Sequence, residues 1–219
     1  MGNRQKKMFE NKFLAISSNN ARMQIHTIIF IGPQGSGKGT QIELLSKVLK
    51  KRDSERRVLD IQTGRRFRAL AAKAEGFTEK KIYETLDSGI LQPLFLSVAL
   101  WGDAFHHHAD DECHILIDGF PRTVNEARVL ESALLFYKRE YITIINLETS
   151  ENVVRERMMQ RARPDDTEAS IEARLTWYRE ETIPVLAYYR ERVHTTVIDC
   201  DGTRSIHEVH AEIQRKLGI

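Results

Sequence analysis

Gly32-Pro33-Gln34-Gly35-Ser36-Gly37-Lys38-Gly39-Thr40-Gln41 follows directly on the apolar run Ile25 to Ile31, and the reading of that junction decides the fold. It predicts a strand, a glycine-rich turn and a helix whose apolar positions are Ile42, Leu44, Leu45, Val48 and Leu49. Gly32, Gly35 and Gly37 permit torsions and close approaches that a Cβ would obstruct, so successive amide N–H groups can point inward at phosphoryl oxygens. The helix start adds its positive dipole end, and Lys38 adds a full charge. A tight turn alone needs only the glycines. Strand, lysine, hydroxyl and helix together point to a triphosphate cradle. The hydroxyl comes one place late, at Thr40, because Gly39 follows the lysine.

Outward from the cradle, strand-like runs recur at Arg57 to Ile61, Cys113 to Asp118, Tyr141 to Leu147 and His194 to Cys200, with helical apolar spacing between them. Short apolar strands alternating with helices predict an α/β fold, doubly wound around a five-stranded parallel sheet in three layers. The phosphate site then belongs at the carboxyl ends of the strands. Two regions interrupt the alternation. From Thr63 to about His108, helical patterns broken at Gly76, Asp87-Ser88-Gly89 and Pro93 read as a helical insert. Arg161-Ala162-Arg163-Pro164-Asp165-Asp166 separates one helix from a long one carrying Ile171, Leu175, Tyr178 and Val185. Asp165 and Glu168 have capping-box spacing, so Asp165 is expected to cap that long helix.

With 219 residues the chain can bury one sizeable core, with inserts. A formal charge of +2 gives no case for nonspecific nucleic-acid binding. Cys113 and Cys200 read as reduced core thiols, which together with the composition points to the cytoplasm. No apolar run has the eighteen or so residues of a membrane span. Residues 1–23 are polar and basic and are expected to form a flexible extension before a single domain over 24–219. Their low acid content is only weakly like an organelle presequence, and Met23 is an alternative start. His106-His107-His108, and His207 with His210, read as surface residues, because neither group has an acidic or cysteine partner at metal-ligand spacing.

Asp118 ends the third strand, where a carboxylate can hold magnesium or its waters near the β and γ phosphates. Asp118-Gly119-Phe120-Pro121-Arg122-Thr123, with the cradle and with Thr63-Gly64 followed by Arg68, resembles the adenylate kinase family of nucleoside monophosphate kinases. Gly-Lys-Gly-Thr is the form of the cradle that this family uses. The resemblance runs from about Met23 to the end and implies a P-loop kinase-type fold with an acceptor-binding helical insert over about 62–92 and a short lid over about 161–167. It implies reversible, magnesium-dependent transfer from ATP to a nucleoside monophosphate by a monomer.

By the same resemblance, Gly35, Ser36, Gly37, Lys38, Gly39 and Thr40 hold the triphosphate, and Asp118 lies by its metal. Arg68 and Arg122 clamp the monophosphate, with Gly119 beside them and Thr63 and Gly64 along its nucleoside. Leu91 and Gln92 line the base pocket, and Arg157 is the shelf for the ATP base. Arg161, Arg163 and Arg174 embrace the transferring phosphoryl, oriented by Asp165 and Asp166. An arginine surplus suits the reaction, which is catalysed largely by positioning and bidentate cations and needs no general base.

Three departures bear on the substrate. Arg65 stands where the family has aspartate, the lid is shorter than in short-lid relatives, and Glu126 occupies the place of the glutamine of adenine-specific members. A carboxylate only accepts, so it opposes the adenine N1 lone pair and suits the N–H donors of guanine. AMP is the expected acceptor. GMP, CMP or UMP is the alternative, and a nucleotide-binding regulatory protein with little turnover is a third reading.

Overall fold

The computed structural model describes residues 24–73 and 75–219, so the N-terminal extension and the alternative start at Met23 lie outside the described residues. All five strand-like runs form strands: β1 Thr27–Ile31, β2 Val58–Gln62, β3 His114–Asp118, β4 Ile142–Glu148 and β5 Thr195–Asp201. They pair in parallel in the order β2-β3-β1-β4-β5. β1 therefore sits at the centre, and the glycine-rich turn leaves it at the point from which the chain winds to either side. That is where open parallel sheets bind ligands.

The helices are α1 Lys38–Arg52, α2 Thr63–Ala71, α3 Phe77–Asp87, α4 Leu94–His108, α5 Val124–Phe136, α6 Glu151–Arg161, α7 Glu168–Trp177, α8 Ile183–Arg190 and α9 Ile206–Leu217. Strand side chains alternate between two faces. Ile28 and Phe30 of β1 meet Ile42, Leu45 and Leu49 of α1 and Val209 and Ile213 of α9. Ile29 and Ile31 turn the other way, into Trp101 and Phe105 of α4, Leu130 of α5 and Tyr189 of α8. Every residue of β1 is buried. Continuous apolar character there follows from cover on both faces.

Smaller clusters build the two interruptions. Phe67, Ala71 and Ile82 join α2 to α3, while Val154, Met158, Ile171 and Leu175 join α6 to α7. The long helix expected through Val185 is broken by a π-helical turn at Tyr178–Thr182, where the Ile183 N–H reaches Tyr178 O. Pro184 at the start of α8 has no N–H to donate, and the wider turn absorbs that gap. Among the described residues, no helix is long and apolar enough to cross a membrane.

Candidate active site

Gly37 caps α1 with φ +95°, in the left-handed region where a side chain is strained. It thereby turns the first amides of α1 toward the cleft. Lys38, the first residue of α1, folds back on the turn: its Nζ donates to Gly32 O and Pro33 O, each at 2.8 Å. Burial pulls its pKa down to about 8, Arg122 and Arg161 add to the fall, and Asp118 opposes it. A bound triphosphate favours the charged ammonium and raises that pKa again. ATP binding is therefore expected to take up a proton near pH 8.5, and its affinity to fall as pH rises through about 8. Calorimetry in buffers of different ionisation enthalpy measures both.

The turn opens a cleft of about 810 Å³ lined by Gly35 through Thr40, Asp118, Arg157, Arg161 and Arg163. A smaller pocket of about 180 Å³ lies against it, lined by Thr63, Leu91, Gln92, Glu126 and Arg174. Gln34, Gly64, Arg68, Gly119 and Arg122 line both. Gly119, just past the end of β3, has φ +90°, and a Cβ there would run into Thr63 Oγ1. The bare backbone lets the β2 and β3 ends close up at the junction of the two pockets.

Guanidinium groups crowd this junction. Burial and then the Arg163 charge lower Arg68 to about 10, with Asp165 opposing. Burial and Arg161 likewise lower Arg163, and burial lowers Arg122. Like charges held together this way favour a polyanion between them. Arg122 Nε donates to Gly119 O at 2.6 Å, and its guanidinium lies 4.7 Å from the Trp177 ring centroid. Arg157 donates to Gly202 O and Thr203 O, which fixes the plane of its guanidinium at the wall of the larger cleft. A fixed planar cation is a stacking surface.

Asp165 and Asp166 turn out to hold the arginines rather than the helix. Arg161 makes a two-point contact with Asp166, at 2.6 and 2.9 Å. Arg174 bonds Asp166 at 2.8 Å and Asp165 at 2.7 Å, and also reaches Leu86 O at 3.0 Å. Arg68 lies 3.9 Å from Asp165. Burial acts to raise the Asp166 pKa, but the bonds and charges of Arg161 and Arg174 outweigh it and hold the carboxyl below its ordinary value. The expected cap at Asp165 is therefore wrong. Thr167 caps α7 in a capping box with Ser170, because the aspartates are committed to guanidinium partners and Thr167 stands at the helix start.

The site residues expected from the sequence line one or other of the two pockets, except Asp166, which bonds Arg161 and Arg174 from outside their linings. Arg65, the charge inversion, forms an ion pair with Glu43 of α1 at the rim of the larger cleft. Gln92 donates from its side chain to Thr85 Oγ1 at 2.7 Å. The sequence reading missed Ser97 and Trp177 in the smaller pocket and Arg204 in the larger one. The Ser205–Glu208 capping box was a legible signal for the segment carrying Arg204, whereas Ser97 and Trp177 had none. Among the described residues, no three His, Cys, Asp or Glu side chains converge as a metal site.

A phosphate cradle opening onto a second, guanidinium-rimmed pocket is the arrangement that transfer between two nucleotides requires, and the chain is a nucleoside monophosphate kinase. Residues 30–194 match the family model described as adenylate kinase. The chain belongs to the adenylate kinase family. It is 38% identical over 176 residues to the adenylate kinase of Corynebacterium urealyticum, covering 80% of this chain and 91% of that one. Against adenylate kinase from Corynebacterium aurimucosum it is 37% identical over 191 residues, 87% of this chain and 98% of the other. Adenylate kinase 1 of a Nostoc species is 35% identical over the same coverage.

Proposed function

We propose that the chain transfers the γ-phosphoryl group of magnesium-bound ATP to AMP, giving two ADP, reversibly. The observation that carries this reading is the junction itself: two pockets share Arg68 and Arg122, so two phosphate chains would meet end to end beside Lys38. An oxygen of the acceptor phosphate bonds to the γ-phosphorus. The bond from that phosphorus to the β,γ-bridging oxygen breaks, and its electron pair leaves with ADP. The acceptor is already ionised near neutral pH and needs no base.

In this reading, the amides of the turn and Lys38 bind the β and γ phosphates. Arg68 and Arg122 orient the acceptor phosphate, and Arg161, Arg163 and Arg174 close over the group in flight. The segment over about 62–92 serves as the acceptor-side insert, and about 161–167 as the lid. Charge spreads over several oxygens in the transition state, so cations fixed in advance lower the barrier without reorganising. The donor set fits magnesium carried by the nucleotide: Thr40 and Asp118 line the larger cleft and would hold the ion directly or through its waters, rather than in an all-protein cage. Magnesium would neutralise and orient the phosphates. We infer a cytoplasmic location, with which the two buried free thiols agree, and a monomer that carries both pockets in one chain.

AMP is favoured over other acceptors because the similar proteins are adenylate kinases, and Glu126, with its carboxylate turned onto protein donors, does not oppose adenine. Rates with AMP, GMP, CMP and UMP under ATP and magnesium test the reading. AMP should give the highest kcat/KM. A clear GMP preference would replace AMP, and ATP binding without diphosphate formation from any acceptor would favour a regulatory protein.

A further inference from the structure

Glu126 is an acid only 3% exposed that lines the smaller pocket. Its Oε1 accepts from Ser97 Oγ at 2.5 Å and from the Trp101 indole N–H at 3.2 Å, both on α4. Its Oε2 accepts from the Arg122 amide N–H at 2.7 Å. Indole and amide N–H groups can only donate, and here they address different oxygens. A carboxylate accepts at both atoms, a carboxamide at one. Glutamine in this place would turn its NH2 against either Trp101 or Arg122 and leave a buried donor unpaired, which is the expensive outcome. The Ser97 hydroxyl can rotate to accept and so does not discriminate.

The bonded segment is the one that carries the shared cation. Trp101 also stacks on Phe120, two residues before Arg122, with centroids 5.3 Å apart and planes within 4°. The Arg122 carbonyl accepts from Thr182 Oγ1 at 3.0 Å, and its guanidinium is set by Gly119 O and Trp177. Glu126 thus supplies the amide-side restraint on a residue whose other groups are already held. We propose that Glu126 is a positioning residue for Arg122, required as a carboxylate because Trp101 occupies its second oxygen, and that it does not read the acceptor base as an amide would. This rests on the reading that Arg122 acts at the junction of the two nucleotides.

The test is a cycle of Glu126→Gln, Trp101→Phe and the double variant, measured for kcat, for KM of both nucleotides and for Tm. With Trp101 in place, Glu126→Gln is expected to lower kcat about tenfold with little change in KM for ATP, and to lower Tm. Trp101→Phe alone should lower Tm through lost packing yet keep kcat within about threefold, since the Arg122 amide retains its acceptor. In the Trp101→Phe background the single carboxamide oxygen is free for Arg122, so Glu126→Gln should change kcat by less than about twofold and leave Tm unaltered. Equal effects of Glu126→Gln in both backgrounds, in kcat and Tm alike, would overturn the pairing. So would a Glu126→Gln enzyme with wild-type kcat. If the wild-type chain phosphorylates no monophosphate, the functional reading fails instead, and the Tm cycle still decides whether Trp101 fixes the acid.

Discussion

Lys38→Ala is expected to lower kcat by about 10²–10³-fold while leaving Tm within a few degrees of wild type. The lysine is the first residue of α1, at the end of the cradle, and its ammonium is bound to two carbonyl oxygens of its own turn. Both contacts are local, so truncation removes no long-range packing. What is removed is a partly buried positive charge, stronger there than it would be in open water. The loss should fall on kcat more than on the KM for ATP, because the charge that develops on the bridging oxygen of the leaving ADP in the transition state exceeds that of the ground state. A variant within tenfold of wild type would mean that the cradle holds nucleotide without serving transfer.

Arg174→Met is expected to destabilise the fold by about 3–5 kcal/mol, read by chemical denaturation, and to lower turnover as well. The side chain of Arg174 is 4% exposed, and its guanidinium joins Asp165, Asp166 and the carbonyl of Leu86 across two segments of chain. Methionine fills much of the volume but leaves Asp165 with Arg68 at 3.9 Å as its remaining cation. An uncompensated buried carboxylate is the costly product of such a substitution, more than the loss of attraction itself. Asp166 keeps its two-point contact with Arg161, so the loop between α6 and α7 should remain attached at one end. A change under about 1 kcal/mol would show that this network contributes no more than an exposed ion pair does.

Much of the site was legible because phosphate chemistry constrains the local sequence strongly. A cradle needs glycines, a lysine and a helix start in immediate succession, and these survive any rearrangement of the surroundings. Strand positions were legible for a similar reason: a strand covered on both faces must be apolar throughout, as Thr27–Ile31 nearly is. What was not legible depends on who meets whom across long separations. Asp165 has the spacing of a cap as well as the resemblance-implied role of orienting the arginines, and only the structure shows that its carboxylate goes to Arg174 while Thr167 takes the cap. Glu126 as a base reader was a fair expectation from its position. The indole that answers it lies 25 residues earlier, on a helix whose rotation the sequence pattern does not fix. The π-helical turn escaped because Pro184 reads as an interruption without saying how the chain accommodates it.

The central claim is that two nucleotides occupy adjoining pockets at once, their phosphate chains meeting between Lys38 and Arg122. AMP titrated calorimetrically into chain already saturated with a non-hydrolysable ATP analogue and magnesium tests it most directly. One further AMP should bind per chain, and the same titration into Arg68→Ala should lose most of the heat. If AMP instead fails to bind the saturated chain and merely displaces the analogue, the two pockets are one site and the account is wrong.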